Sequence, residues 1–264
     1  MEAMPFTPAH AAAALPFRHS RLVPSALIVG TLAPDFEYFL RMAPGGGFGH
    51  TFAGAFLLSL PLALAVLWIF HALIKAPLVQ LFPDAIRLRL ARQMGPFRFG
   101  GPERFMLIVV SALIGIATHI AWDAFTHSYT WPYRHFHLLR ERLPAPLLGS
   151  VALVKVLQHV STVVGLILLA IWVMRWYRTT EPRRGARRSP LPPSRRWLVV
   201  GSIAAVAIFS GILRAALILS SGSNTDHWEK AVGDGVVTGI ALAWWMLVAY
   251  AALVSTRRPS QLEA

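Results

Sequence analysis

Five apolar runs, at 51–74, 105–126, 151–174, 197–219 and 235–256, decide most of what this chain can become. About 20 apolar residues is the length a helix needs to cross bilayer hydrocarbon. Hydrocarbon offers backbone groups no partner, so each segment must satisfy its own N–H and C=O groups. The expected fold class is all-α: a polytopic membrane helix bundle of about five transmembrane helices, with short N-terminal re-entrant or buried helices. Residues 22–40 form a further apolar stretch, but Pro34-Asp35-Phe36-Glu37 breaks it too early for a span. The expected organisation is a single integral membrane domain over 1–264, with a ligand-bearing N-terminal segment at 1–50. No cleavable signal peptide is expected, because Met1 to His10 lacks a basic region.

Composition excludes several chemistries. Charged residues make up 14% of the chain and hydrophobic residues 55%, against about 25% charged in soluble domains. There is no cysteine, which rules out disulfides, thiolate zinc sites and a cysteine nucleophile. The net charge of +13 resembles a nucleic-acid signal, yet its arginines sit between the apolar runs, where the positive-inside rule accounts for them. No nucleic-acid partner is expected; the expected partners are membrane lipids. Basic residues crowd 75–104, the arginine-rich loop 175–196 and the pair Arg257-Arg258. These three share one side if there are five spans, and that side is cytoplasmic. The connections at 127–150 and 220–234 then face outward, carrying only Arg134, Arg140, Arg142 and Lys230. The expected location is the cytoplasmic (inner) membrane of a bacterium.

Asp123 stands out against this background. A carboxylate at mid-bilayer costs about 2.5–3.5 kcal/mol on insertion scales, so it is kept for function or for a fixed partner. His119, Asp123 and His127 are spaced i, i+4, i+8, which places them within about 80° on one helix. Two imidazoles and a carboxylate on one stripe are first-row metal ligands; His119 and Asp123 also read as a hydrogen-bonded structural pair. His50, Gln158, His159, Arg214 and Asp234 fall in the same outer half of their segments, the pattern of one polar cavity open to the outside. The N-terminal segment adds His10, Asp35 and Glu37, with a glycine loop, Gly45-Gly46-Gly47-Phe48-Gly49, leading into His50. Each has a plainer reading. His10 and His50 suit an interface, and Glu37 suits an interfacial charge or a group beside the ligands. Gln158 and His159 suit helix packing, Arg214 suits snorkelling, and His135 and His137 suit an aromatic interface belt.

The runs Met4-Pro5-Phe6-Thr7-Pro8-Ala9-His10, Ala33-Pro34-Asp35-Phe36-Glu37-Tyr38, Gly49-His50-Thr51 and His119-x3-Asp123-x3-His127 resemble a bacterial family of uncharacterised integral membrane proteins. Their order is similar to that of membrane-bound metal-dependent hydrolases and, distantly, of zinc-dependent phospholipase C and S1/P1-type nucleases. The resemblance implies a metal site built from His10, Asp35, His50, His119 and Asp123, with His127 and Glu37 beside it. The chain departs at Gly49-His50-Thr51-Phe52, where those hydrolases carry a longer run with one more histidine.

The function expected from these readings is a membrane-embedded hydrolase using a divalent metal, zinc or manganese. It would act on a phosphoester or polar lipid head group at the outer face of the cytoplasmic membrane. His10, Asp35, His50, His119, Asp123 and His127 would be metal ligands. Asp35 or Glu37 would bridge metals or act as the catalytic base, and Arg214 would hold a phosphate. The alternatives are a non-enzymatic binding or transport protein with a polar outer-leaflet cavity, and a structural membrane subunit.

Overall fold

The computed structural model describes residues 6–43, 47–145, 149–183, 191–221 and 225–256. The arginines at 184–190, the pair at 257–258 and the first glycines of the 45–49 loop lie outside them. Five helices are long and apolar enough to cross a membrane: Phe52–Leu81, Pro102–His135, Leu153–Thr179, Pro193–Ser220 and His227–Thr256. The protein is a multi-pass helical membrane protein, and these helices are called the first to fifth spans. Ahead of them stand short helices at Thr7–Phe17, Pro24–Gly30 and Phe36–Arg41. A small antiparallel hairpin, Arg142–Ala145 with Gly149–Ala152, precedes the third span and has no counterpart in the sequence reading.

The chain divides into two compact units. The first comprises Met1–Glu37, Gly45–Leu64 and Phe99–Val173. Its axis is the second span, which is α-helical from Pro102 to Thr126 and buries Ile108, Ser111, Ala112, Gly115, Ile116, His119 and Asp123. Those positions recur every three or four residues and form one stripe. Helix Pro24–Gly30 lies against the stripe, backbone to backbone. A Cβ on Gly30 would strike the carbonyl of Ala112, and one on Gly115 would strike backbone atoms of Leu27, Gly30 and Thr31. Small residues buy this closeness, the usual means of packing helices where lipid removes the hydrophobic drive. The Ser111 hydroxyl caps the approach, accepting from Val23 N at 2.9 Å.

The first span begins at Thr51, whose hydroxyl accepts from Gly54 N at 2.9 Å as an N-cap. Two wide π-turns interrupt it, at Ala55–Ser59 and Phe70–Ile74. Each lies just ahead of a proline, Pro61 or Pro77. A proline ring clashes with the carbonyl four residues back and offers it no N–H, so the helix widens there.

The second unit comprises Tyr38–Pro44, Ala65–Arg98 and Met174–Ala264. Its main contact joins the fourth and fifth spans. Gly211 faces Gly235, and a Cβ on either would lie 2.8 Å from the other's carbonyl oxygen. Arg214 donates to Asp234 at 3.0 Å beside that crossing. Basic residues close the unit's loop region. Arg87 and Arg196 both reach Asp84, at 3.0 and 3.3 Å, and Arg89 lies 4.2 Å over the Tyr177 ring. These two guanidinium groups hold the exposed Asp84 carboxyl below its ordinary range, chiefly through the Arg87 hydrogen bond.

Candidate metal centre

Within the first unit, Asp35, His50, His119 and Asp123 each offer one ligand atom, and the four atoms lie within 4.8 Å of one another. His119 and Asp123 share a helix one turn apart. Asp35 arrives on the turn Ala33–Asp35, begun by Pro34. His50 arrives because Gly49 lets the chain press against it: a Cβ there would lie 2.6 Å from the Pro34 carbonyl oxygen. Ser59 then pins the loop, donating to Gly49 O at 3.0 Å.

The spacing is that of ligands. Asp123 Oδ2 lies 3.1 Å from His119 Nε2 and 3.2 Å from His50 Nε2. Asp35 Oδ1 lies 3.3 Å from His50 Nε2 and 3.6 Å from His119 Nε2. The two Nε2 atoms are 3.2 Å apart. A tetrahedral ion with bonds of 2.0–2.1 Å separates its ligands by about 3.3–3.4 Å.

The proton on His119 can be placed. Its Nδ1 lies 2.8 Å from the carbonyl oxygen of Thr31, which only accepts, so Nδ1 carries hydrogen. Nε2 of the neutral ring then turns a lone pair toward two carboxylate oxygens. That arrangement needs a positive charge at the centre, either a proton or a metal ion. Because each carboxylate aims a single oxygen at both imidazoles, the geometry fits an ion better than a chain of separate hydrogen bonds. The other Asp35 oxygen, Oδ2, is held by Thr7 Oγ1 at 2.6 Å. Ligand-orienting bonds of this kind accompany metal-bound histidines and carboxylates.

Outside the spans, burial alone would raise the Asp35 carboxyl, but His119 and His50 hold it below its ordinary value. Burial works against a charge on His50, yet its contacts with Asp123 and Asp35 hold its pKa above the ordinary 6.5.

His10 stands beside the cluster, outside the four-atom set. Its ring stacks on His119 with centroids 3.9 Å apart, and its Nε2 lies 3.4 Å from Asp123 Oδ1. It is 1% exposed. Both its ring nitrogens, with Asp35 Oδ1 and Asp123 Oδ1, are buried without a hydrogen-bond partner among the described residues. Burial, with His119 alongside, pushes its pKa down to about 4. Imidazole nitrogens and carboxylate oxygens are the donor types a divalent ion requires.

The remaining candidates are placed differently. His127 is buried but stands just past the helix end in extended conformation, its Nδ1 3.1 Å from the Asp123 carbonyl oxygen. It lies outside the four-atom set. Glu37 is buried, and Gly49 N donates to it at 3.4 Å. Arg214 belongs to the second unit and is bonded to Asp234. Gln158 is buried while its neighbour His159 is exposed. His135 stacks on Trp131, and His137 is exposed beside Glu141. The polar residues that share a depth in the sequence thus divide between the two units. Thr7 and Thr31 are the contributors that sequence reasoning missed. Thr7 sits inside the Met-Pro-Phe-Thr-Pro-x-His run, which was a usable signal, whereas Thr31 acts through its backbone and left none.

The family model for a domain of unknown function, DUF4184, matches residues 4–252. The chain belongs to this family. No curated protein and no solved structure matches it. Every residue of the cluster, with Thr7 and Thr31 beside it, lies inside the matched region.

Proposed function

We propose that the cluster binds a divalent first-row metal, zinc or manganese. On this reading the protein is a membrane-embedded metal-dependent hydrolase of a phosphoester or polar lipid head group, at the outer face of a bacterial cytoplasmic membrane. The observation that supports it is the convergence of one oxygen or nitrogen from each of Asp35, His50, His119 and Asp123 at ligand spacing.

Such a metal, when bound, lowers the pKa of water to about 7 and polarises a phosphoryl oxygen. Asp35 and Asp123 would supply its charge balance, with Thr7 and Thr31 fixing the ligand orientations. His10, neutral and facing Asp123 Oδ1, is proposed as a further ligand. Glu37, held by Gly49 N, is proposed as the base that takes a proton from the attacking water.

Elemental analysis of the purified protein, beside a His119→Ala/Asp123→Ala variant, tests the reading. Bound metal in the parent and its loss in the variant are expected, with hydrolysis of a lipid phosphoester lost in parallel. A parent chain that takes up no divalent metal under any loading condition would sink it.

A further inference from the structure

Past Thr126 the chain does not leave as a polar loop. Thr130 Oγ1 shares its one hydrogen between the carbonyls of Ala124 at 2.6 Å and His127 at 2.8 Å, folding the segment back against the end of the helix that carries His119 and Asp123. Two short helices follow, Trp131–His135 and His137–Arg140, seated by buried Pro132 and Leu139. Large apolar groups stand in the open along this stretch: Trp131 is 62% exposed and Leu138 60%, with Phe125 on the preceding helix, Tyr129 in the turn and Phe136 between the short helices also exposed.

These side chains are arranged before any partner arrives. Phe136 stands edge-on to Trp131 at 5.9 Å and parallel to Phe125 at 6.5 Å, and His135 stacks on Trp131 at 4.2 Å. A contiguous apolar patch of this kind marks an interaction surface. On the same two helices Arg134 and Arg140 are both exposed, their side chains making no hydrogen bond or ion pair among the described residues. Aromatic rings settle at the head-group level of a bilayer, and guanidinium groups beside them reach lipid phosphates.

We infer that residues 129–140 form a docking surface for anionic phospholipid, with the rings in the interfacial layer and Arg134 and Arg140 on the phosphates. Two features favour lipid over a protein partner. The segment is continuous with an apolar span, and it offers unpaired cations where a bilayer carries anions. Its function rests on the hydrolase reading: the bond from Thr130 to Ala124 starts the platform beside Asp123, so a lipid seated there brings its phosphoester next to the cluster.

The chain has no cysteine, so Leu138→Cys and, as reference, Glu181→Cys each carry one environment-sensitive fluorophore on the full-length protein. Both are placed in phosphatidylcholine vesicles with and without phosphatidylglycerol. The label at 138 is expected to emit to the blue of that at 181, to resist aqueous iodide and to be quenched by brominated lipid. Energy transfer from 138 should favour a phosphatidylglycerol probe over a phosphatidylcholine probe. Arg134→Gln and Arg140→Gln should each weaken that preference about fivefold. A label at 138 as open to iodide as that at 181 overturns the inference, and so does a preference that survives both substitutions. A shielded label that brominated lipid cannot quench overturns it in favour of a protein cover. Metal content of the same samples separates the two ideas. Metal-loaded protein with a wet label defeats the docking surface alone, and a lipid-quenched label on protein that takes up no metal defeats the hydrolase alone.

Discussion

At the scale of the residue, the negative charge of Asp123 faces both His119 and His50. Asp123→Asn removes that charge with almost no change in volume, so the helix should insert as before while most bound metal is lost. A neutral amide is cheaper to bury than a carboxylate, which argues against any loss of insertion. Metal content per chain and membrane yield, measured together, check this. A subtler substitution is Thr7→Val, which deletes the 2.6 Å hydrogen bond to Asp35 Oδ2 but leaves every ligand in place. Losing such an orienting bond typically costs 10- to 100-fold in metal affinity, so titration with a competing chelator should show a drop of about that size. His10 gives a pH test in metal-free protein. His119, Asp123, Asp35 and His127 surround it, and its folded pKa of about 4 lies below the unfolded 6.5. Between those values the unfolded chain binds the extra proton, so stability falls as pH falls through that window. Thermal melts at pH 7 and pH 5 should show a smaller drop for His10→Gln than for the parent.

At the scale of the element, the site depends on one close helix contact. Gly115→Ala places a methyl group against the backbone of Leu27, Gly30 and Thr31. Helix Pro24–Gly30 must then move away, at about 1–3 kcal/mol for overpacking. Because the Thr31 carbonyl fixes the His119 ring, metal binding should weaken along with thermal stability. Gly201→Ala is the control: a Cβ there meets nothing within 4 Å, and a mid-helix alanine is favoured by about 0.5–1 kcal/mol. Equal melting temperatures for the two variants would contradict the contact.

At the scale of the whole molecule, the ligands are far apart in sequence but would be held by one ion. Asp35 and His50 come from the N-terminal segments, and His119 and Asp123 from the second span. Metal present at 1,000 times its dissociation constant would add about 4 kcal/mol to stability. Chelation should therefore lower the melting temperature of the parent and leave Asp123→Asn nearly unchanged. Orientation can be checked separately. By the arginine asymmetry, single cysteines at Leu143 and Ser221 should react with an impermeant reagent on intact cells, and one at Glu181 should not. The reverse labelling would move the cluster to the cytoplasmic side.

The sequence by itself determined the spans, because crossing hydrocarbon depends on local length and apolarity, which twenty consecutive residues already display. It also determined the His119–Asp123 pair, since a helix brings i and i+4 together wherever it sits. His127 continues the same spacing, but the helix ends at Thr126, and an end set by the following turn is not visible in periodicity. Only the tertiary structure decided that Asp35 and His50 meet that pair. Their approach depends on Gly49 and Pro34 in contact and on Gly30 and Gly115 nested backbone to backbone, and a glycine in a sequence does not name what it will touch. The same limit hid Thr31, whose contribution is a carbonyl common to every residue type. It also left Arg214 open until the structure showed Asp234 beside it: a lone charge in an apolar run announces a partner, and only the packing of two helices supplies one.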